Sequence, residues 1–276
     1  MTDAQCVAFL QWALPQLNLR WAGYRKVRRQ VCKRIRRRLE ELQLPDHAAY
    51  RAYLEANATE WQVLAAMCRI TISRFYRDQG VWNTLRREVL PEVAEMARAA
   101  RDDTLRCWSI GCASGEEPYT LAILWNLGLA SRYPELRLRI LATDANRQMV
   151  ERAHAGQYPA GSLRDLPPGW VDAAFDPVDG EFRLRERVRE AVSVRLEDVR
   201  VSIPDETFRV ILCRNVVFTY FDEALQQHVL RRILARLARG GALVLGRHER
   251  LPSEASLQPW FPERGIYRHV RPTIET

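Results

Sequence analysis

The chain has 276 residues, 47% of them hydrophobic, and its formal net charge at pH 7 is +8. This length accommodates one catalytic domain and a small accessory domain of ordinary globular composition. No apolar run approaches the roughly 20 residues of a membrane-spanning helix, and the first residues lack the basic-then-apolar order of a signal peptide. We therefore expect a cytoplasmic protein that does not insert into a membrane.

The first part of the chain is predicted to be helical, because its apolar residues recur at helical spacing. Helices are predicted up to Leu17 and over Trp21–Gln43, His47–Ala56, Glu60–Cys68 and, with an interruption at Pro91, Val81–Ala100. We expect residues 1–66 to form an N-terminal helical domain and residues 67–103 to form a linker.

The second predicted helix holds most of the positive charge. Ten basic residues and no acidic residue lie between Arg20 and Arg38, so the rest of the chain carries a net charge of −2. Two interpretations stay open. The block docks an acidic partner, for which a protein helix is favoured over nucleic acid, or it is a solvated helix face.

From residue 104 onward, apolar strands alternate with amphipathic helices. Strands are predicted at 104–110, 137–142, 210–213, 242–245 and 266–269, and helices at 118–130, 145–153 and 222–237. This alternation is typical of an α/β fold with a doubly wound, mostly parallel, Rossmann-like sheet, here over residues 104–276. The strand at 266–269 is expected to pair onto the sheet edge.

The segment from about 156 to 200 interrupts the alternation. It is rich in proline and glycine up to residue 177, and it then shows two short alternating runs, Phe182–Leu184 and Val192–Val194. We predict a small antiparallel β insertion on the rim of the sheet.

Cysteine and histidine usage gives no sign of a metal site. The cysteines include no Cys-x-x-Cys pair, and no two histidines have helical ligand spacing. We predict no bound metal and expect most cysteines to be reduced core residues. The six are Cys6, Cys32, Cys68, Cys107, Cys112 and Cys213.

The stretch Cys107–Thr120 is the most informative part of the sequence. A buried strand leads into a turn with Gly111 and Gly115, where the missing Cβ atoms allow a ligand to approach the backbone. Glu116 and Glu117 then begin a helix, where acidic side chains suit the helix dipole but would repel a pyrophosphate.

A second acidic position, Asp144, restricts the class of ligand further. Asp144 ends the next strand, and an acid at that place commonly binds ribose hydroxyls, although it could also cap the following helix. A ligand that has a ribose and positive charge but no phosphate describes S-adenosylmethionine, whose product is S-adenosylhomocysteine.

Four blocks of sequence support this prediction. They are Thr71-Ile-Ser-Arg-Phe-Tyr-Arg-Asp78, Trp108-Ser-Ile-Gly-Cys-Ala-Ser-Gly-Glu-Glu-Pro-Tyr119, Ala142-Thr-Asp144, and Cys213-Arg-Asn-Val216 with Tyr220-Phe-Asp222. Through them the sequence resembles the CheR family of protein-glutamate O-methyltransferases. The sequence departs from the family pattern at Thr71, where Asn is usual, and by one extra residue before Tyr220. It also has Gly246-Arg-His-Glu249 for Gly-His-Ser-Glu and lacks a glycine-rich loop in the insertion.

The resemblance implies two catalytic residues. Thr71, Ser73 and Arg77 match the family's cofactor-lid segment, whose arginine lies near the transferred methyl group. Tyr220 matches a tyrosine near the same group. The resemblance thus implies that Arg77 and Tyr220 act in catalysis and that Thr71, Ser73 and Arg77 contact the cofactor.

The resemblance also implies the rest of the cofactor site. Gly111, Ala113 and Gly115 are implied to lie against the methionine part of the cofactor, Glu117 against its amino group and Asp144 against its ribose.

Two pairs complete the implied site. Asp198 and Val199 fall where the family contacts adenine. Arg214 and Asn215 follow the strand at 210–213 and therefore stand at the carboxyl edge of the sheet, where open α/β proteins place ligands.

Three functions stay open at this point. The first is methylation of glutamate side chains in an acidic protein, such as the cytoplasmic helix of a chemoreceptor, docked by the basic helix at residues 20–38. The second is methylation of a different protein or a small molecule. The third is a cofactor-binding sensor without catalysis, against which the retained Arg77, Glu117, Asp144 and Arg214 argue.

Overall fold

The computed structural model describes residues 3–252 and 256–270. The chain divides into two units. The first comprises the residues up to Ile70 and the segment Thr219–Gln226, and the second comprises Thr71–Phe218 and the residues from Gln227 onward. Within the described ranges, no helix combines the length and the apolar character needed to cross a membrane.

The first unit is helical, as predicted. Its helices are α1 (Asp3–Gln16), α2 (Trp21–Tyr24), α3 (Arg28–Glu41), α4 (His47–Ala56) and α5 (Glu60–Met67). Val31, Ile35 and Leu39 form the buried side of α3. Asp46 caps α4 by accepting a hydrogen bond from Ala49 N at 2.9 Å, which satisfies one of the unpaired amides at the start of that helix.

The basic helix is shorter than the sequence predicts. The continuous helix over Trp21–Gln43 is wrong, because a turn separates α2 from α3. Gly23 weakens the helix before this turn. Arg28 then stabilises the turn, since Arg28 Nη1 donates to the Arg25 carbonyl at 2.7 Å and Arg28 Nη2 pairs with Asp3 at 2.9 Å.

Two cysteines differ from the expectation of reduced thiols. Cys6 of α1 and Cys32 of α3 form a disulfide, with their Cα atoms 6.0 Å apart. The sequence gives no sign of this pair, because the contact depends on how α1 and α3 pack against each other. The cysteines at 68, 107, 112 and 213 are buried free thiols.

The segment Thr219–Gln226 is held in the first unit by backbone pairing. Arg20 N donates to the Tyr220 carbonyl at 2.9 Å, and Asp222 N donates to the Asn18 carbonyl at 2.9 Å. Leu19 and Phe221 form an isolated antiparallel bridge. The chain thus returns to its N-terminal unit late in the sequence.

In the described residues, the second unit has ten strands in two sheets. The strands are β1 (Thr104–Ile110), β2 (Arg137–Asp144), β3 (Gln157–Tyr158), β4 (Phe175–Val178), β5 (Glu181–Leu184), β6 (Val192–Leu196), β7 (Phe208–Cys213), β8 (Leu237–Leu245), β9 (Leu257–Phe261) and β10 (Ile266–His269). Seven of them follow the order β6-β2-β1-β7-β8-β10-β9, in which the first five are parallel. This confirms the mostly parallel, Rossmann-like sheet.

Helices precede, connect or follow these strands, and the last two of them extend into the segment Thr219–Gln226 of the first unit. They are α6 (Gln79–Thr84), α7 (Leu90–Ala99), α8 (Glu116–Gly128), α9 (Arg147–Ala155), α10 (Ala160–Leu163), α11 (Trp170–Ala174), α12 (Glu186–Arg189), α13 (Val217–Tyr220) and α14 (Glu223–Leu234). A π-helical turn, Leu85–Val89, joins α6 to α7, and Pro91 lies in the first turn of α7.

The insertion is smaller than predicted. A three-stranded antiparallel sheet in the order β3-β5-β4 confirms its antiparallel character. The run Val192–Val194 does not belong to it. That run lies in β6, which pairs in parallel with β2, because its alternating side chains suit an edge strand of either kind of sheet. β10 pairs antiparallel with β8, next to the last of the parallel strands, as expected, and β9 then pairs with the other side of β10.

Candidate active site

The turn between β1 and α8 brings backbone amides to the carboxyl edge of the sheet. Gly111 and Gly115 have φ angles of 68° and 93°, in the region that favours glycine. A Cβ at Gly115 would lie 2.8 Å from Tyr119 Cε2. Gly111 N donates to the Thr143 carbonyl at 2.7 Å, which fixes the turn against the end of β2.

Asp144, at the end of β2, faces this turn. Its Oδ2 accepts a hydrogen bond from Ala113 N at 2.9 Å, and its Oδ1 accepts one from Asn146 N at 2.8 Å. The helix cap of α9 is Asn146, which accepts from Gln148 N at 3.1 Å. The alternative role of Asp144 as that cap is therefore wrong, and its carboxylate is held beside the glycine turn.

Replacing Asp144 tests the proposed ribose contact. We expect Asp144→Ala to weaken S-adenosylmethionine binding about tenfold or more, because a charged hydrogen-bond acceptor contributes about 1.5–3 kcal/mol. Isothermal titration calorimetry measures the effect. Asn146→Ala is the matched control, since it removes the α9 cap and should leave affinity unchanged. Equal affinities of Asp144→Ala and the native protein would remove this carboxylate from the site.

Arg214 is the centre of a buried ion cluster. The Arg214 side chain is 2% exposed and pairs with Glu117 at 3.1 Å and with Asp78 at 2.8 Å. Its Nη2 also donates to the Arg77 carbonyl at 3.2 Å. Glu117 accepts a further hydrogen bond from Ser109 Oγ at 2.9 Å. The cluster therefore ties the start of α8, the end of β7 and the lid segment together.

The cluster carries an excess of negative charge. Burial raises the pKa of Glu117 above its ordinary value, and the positive charge of Arg214 opposes that rise. Burial also raises the pKa of Glu116, which accepts hydrogen bonds from Ser114 and Ser73. Because Asp78 and Glu117 share one arginine, a cationic ligand would relieve the repulsion between them.

This electrostatic arrangement predicts a pH dependence of cofactor binding. A bound ammonium favours the ionised form of Glu117, so binding releases a proton whenever that residue is protonated beforehand. Affinity should be constant above the raised pKa of Glu117 and should fall below it. The fall should begin at a higher pH than for a glutamate with an ordinary pKa. Calorimetry over a pH series measures this, and an unchanged pH slope in Glu117→Gln would contradict it.

The lid segment approaches the same cluster. Ser73 hydrogen-bonds Glu116, and Tyr76 N donates to Thr120 Oγ1 at 3.0 Å. The Arg77 carbonyl accepts from Trp82 Nε1 at 2.8 Å, while its guanidinium donates to the Ile72 carbonyl at 3.2 Å. Thr71 is half-buried at the start of the segment. The backbone of Arg77 is thus fixed independently of its side chain.

Backbone strain is concentrated at this site. Tyr76, Asp78, Ala113 and Asn215 all have positive φ angles, between 47° and 61°, although none is glycine. Such conformations cost roughly 1–3 kcal/mol each and persist where surrounding contacts hold them. The lid, the glycine turn and the end of β7 therefore each contain a strained backbone position that their surroundings hold in place.

Sequence reasoning missed two residues that organise the site. Asp78 is only the last residue of a sequence motif, yet in the structure it pairs with Arg214. Glu249 accepts hydrogen bonds from Asn215 N at 2.8 Å and Gly246 N at 2.7 Å. The signal for Glu249 was its place in the altered Gly-Arg-His-Glu block.

Other predicted site residues are not joined to the Arg214 cluster by the contacts described above. Asp198 follows β6 and pairs with Arg200 at 2.6 Å, and its neighbour Val199 is buried. Tyr220 lies in the first unit, where its ring centroid is 5.0 Å from that of Tyr24. The adenine role of Asp198 and Val199 and the catalytic role of Tyr220 stay predictions from the resemblance.

Sequence comparison identifies the class of this site. The family model described as "CheR methyltransferase, SAM binding domain" matches residues 71–264. The protein is an S-adenosylmethionine-dependent methyltransferase. The chain belongs to the CheR methyltransferase family.

Named relatives agree with the family. The "Chemotaxis protein methyltransferase" of Salmonella typhimurium is 33% identical over 79% of this chain and 75% of its own length. That of Listeria monocytogenes is 29% identical over 74% of each chain. An "Uncharacterized 104.1 kDa protein in hypE 3'region" of Rhodobacter capsulatus is 33% identical over 80% of this chain, which spans only 23% of that protein.

The similarity to solved structures is lower than the similarity to these relatives. CalS10, an amino pentose methyltransferase from Micromonospora echinaspora, covers 66% of this chain and 53% of its own at 23% identity, with a TM-score of 0.32. The N-methyltransferase NodS from Bradyrhizobium japonicum covers 59% of this chain and 64% of its own at 16% identity, also with a TM-score of 0.32. Similarity of this size does not define a substrate.

The residues at the sheet edge fit S-adenosylmethionine. The excess negative charge around Arg214 suits the ammonium and sulfonium of this cofactor, and Asp144 suits a ribose. Arg214 Nε is buried without a hydrogen-bond partner among the described residues. A ligand carboxylate, such as that of the methionine part, would satisfy this donor. In the described ranges, no three His, Cys, Asp or Glu residues are grouped as metal ligands.

Proposed function

We propose that this protein transfers a methyl group from S-adenosylmethionine to glutamate carboxylates of an acidic protein, the cytoplasmic part of a chemoreceptor. The buried Asp78–Arg214–Glu117 cluster carries the proposal, because it links the cofactor turn to the lid segment. The names of the Salmonella and Listeria relatives support the chemotactic setting. A chemoreceptor substrate also implies a cytoplasmic location.

The chemistry requires positioning more than proton transfer. S-adenosylmethionine supplies an activated methyl group, and a glutamate side chain is already ionised at neutral pH. Alignment of two reactants within about 3–3.5 Å provides much of the acceleration in such reactions. In this proposal Glu117 and Asp144 orient the cofactor, while Arg77 holds the acceptor carboxylate through a forked pair of hydrogen bonds.

A labelling experiment tests the proposed reaction. The purified protein is incubated with methyl-labelled S-adenosylmethionine and the cytoplasmic fragment of a chemoreceptor from the same organism. We expect label in the receptor that is released by mild base, as carboxyl methyl esters are. Base-stable label would point to a different acceptor atom. Labelling of small molecules alone would favour the second candidate function, for which the altered Gly246–Glu249 segment is the specific observation.

The surface of α3 supports docking of an acidic partner. Four of its arginines have internal partners: Arg28 pairs with Asp3, Arg34 donates to the carbonyls of Met67 and Arg69, Arg37 pairs with Glu41, and Arg38 pairs with Glu60. The exposed basic residues lie along one stripe of the helix and its preceding turn, and Arg37 is 82% exposed in spite of its pair with Glu41. They are Arg25, Lys26, Arg29, Lys33, Arg36 and Arg37.

Charge reversal tests this surface. We expect Arg29→Glu, Arg36→Glu and Arg37→Glu together to raise the KM for the receptor fragment several-fold at low salt and less at high salt, because charges separated by more than about 8 Å are screened at physiological ionic strength. Cofactor affinity should not change, since its proposed residues lie in the second unit. The matched control reverses the exposed Arg87, Arg183 and Arg231. Equal KM values for the two triple variants would indicate a solvated face.

The disulfide of the first unit bears on the proposed location. Disulfides are rare in a reducing cytoplasm, so Cys6 and Cys32 would be in their thiol form there. Their burial against each other in α1 and α3 is compatible with either state.

A further inference from the structure

Glu249, in the loop that follows β8, joins the ends of two neighbouring strands. The parallel pairing of β7 with β8 ends at Cys213 and Leu245. Just beyond this pair, Glu249 Oε2 accepts hydrogen bonds from Asn215 N at 2.8 Å and from Gly246 N at 2.7 Å. One carboxylate oxygen therefore connects the backbones of the two segments that leave the sheet at this point.

The surroundings of Glu249 fix its carboxylate in place. Glu249 is 8% exposed, and its own N–H donates to the Gly246 carbonyl at 3.0 Å, which closes a tight turn. A Cβ at residue 246 would lie 2.7 Å from Asn215 Oδ1 and 2.9 Å from Glu249 Oε2, so these groups pack too closely for any residue larger than glycine.

The hydrogen bond to Asn215 holds a strained backbone. Asn215 has a φ angle of 59°, a left-handed conformation that costs free energy in a residue other than glycine. A charged acceptor offsets this cost, because charge-assisted hydrogen bonds are stronger than neutral ones. The preceding residue is Arg214, which pairs with Asp78 and Glu117. Glu249 therefore helps to set the direction in which Arg214 and Asn215 leave the strand.

Glu249 also acts on the Arg214 cluster through its charge. Burial is the main cause of the raised pKa of Glu117, and the negative charge of Glu249 adds to that rise. The two carboxylates are thus close enough to interact, which places Glu249 beside the residues that are implied to bind the cofactor.

We propose that Glu249 is a positioning residue for cofactor binding, which holds Arg214 and Asn215 in the arrangement that the cofactor requires by binding the Asn215 amide. The inference rests on the cofactor contacts that the family resemblance implies for Arg214 and Asn215, and it does not depend on the identity of the acceptor. When the Asn215 amide loses its acceptor, fewer molecules hold the binding-competent conformation, and the apparent affinity falls by that fraction.

Two conservative variants separate geometry from charge. Both amides bind the same oxygen, and the side-chain oxygen of glutamine can accept two hydrogen bonds, so Glu249→Gln keeps the geometry without the charge. Glu249→Asp keeps the charge, but its side chain is one methylene shorter. We expect Glu249→Asp and Glu249→Ala to weaken the binding of S-adenosylhomocysteine about tenfold, which is about 1.4 kcal/mol, and Glu249→Gln to stay within about threefold of the native affinity. Isothermal titration calorimetry without an acceptor measures these affinities.

Asp46→Ala is the matched control, because Asp46 also accepts a backbone hydrogen bond, from Ala49 N at 2.9 Å, but lies in the first unit. It should keep the native cofactor affinity, and urea denaturation measures the stability that each variant loses. Native affinity in Glu249→Asp overturns the inference, as does an affinity of Glu249→Gln as low as that of Glu249→Asp. An equal loss of affinity in Asp46→Ala also overturns it, since lower stability alone would then explain the effect. Absence of base-labile label in the receptor fragment counts against the proposed function alone.

Discussion

Arg214→Met is expected to lower the free energy of unfolding by about 3–5 kcal/mol, because removal of one member of a buried ion cluster leaves the other charges without compensation. Glu117 and Asp78, whose side chains are 14% and 28% exposed, would be left facing each other. Urea denaturation monitored by circular dichroism measures the loss. The second variant Arg214→Met/Glu117→Gln should regain part of it.

Arg236 provides the matched comparison for Arg214. It pairs with Asp205 at the same 2.8 Å, yet the Asp205 side chain is 98% exposed. Exposed pairs contribute about 0–1 kcal/mol, so Arg236→Met should cost far less than Arg214→Met. If both variants lose the same stability, burial of the Arg214 cluster does not determine its energy.

Arg77→Ala is expected to reduce kcat by about 100-fold or more while cofactor affinity changes little, because an interaction made mainly in the transition state affects the rate constant. The substitution should preserve the fold. Trp82 Nε1 and Arg214 Nη2 contact the carbonyl of Arg77, which alanine retains. Steady-state kinetics with the receptor fragment and calorimetry with S-adenosylhomocysteine measure the two quantities.

Arg77→Lys separates charge from geometry at this position. Lysine keeps the positive charge but lacks the planar fork, so we expect it to recover only a small part of the lost kcat. Recovery of full turnover by lysine would show that charge alone suffices. Weak cofactor binding by Arg77→Ala with normal turnover at saturation would assign the arginine to the cofactor instead.

The cofactor-binding end of the sheet could be predicted, because the residues that indicate it are close together in the sequence. Gly111, Gly115 and Glu117 lie within one strand–turn–helix segment, and the acid that ends the next strand follows from the same parallel pattern. The structure joins these residues through short hydrogen bonds, including that of Ala113 N to Asp144.

The remaining organisation depends on contacts that are distant in sequence. Asp78 and Arg214 are 136 residues apart, and no periodicity or spacing indicates their pairing. For the same reason, the sequence does not predict the disulfide between Cys6 and Cys32. The same holds for β6, since Val192–Leu196 has the pattern of an edge strand whichever neighbour it pairs with.

Because Thr219–Gln226 belongs to the N-terminal unit, the chain cannot be divided into two independent pieces at residue 70. Deletion of the first 70 residues would remove the partners of a segment that belongs to the matched family region, including Leu19 opposite the buried Phe221. A truncated chain that begins at Thr71 would therefore expose apolar surface directly downstream of the Arg214 strand. The N-terminal helices therefore cannot be removed without affecting the segment Thr219–Gln226. A relative that lacks these helices would need a different sequence between β7 and β8.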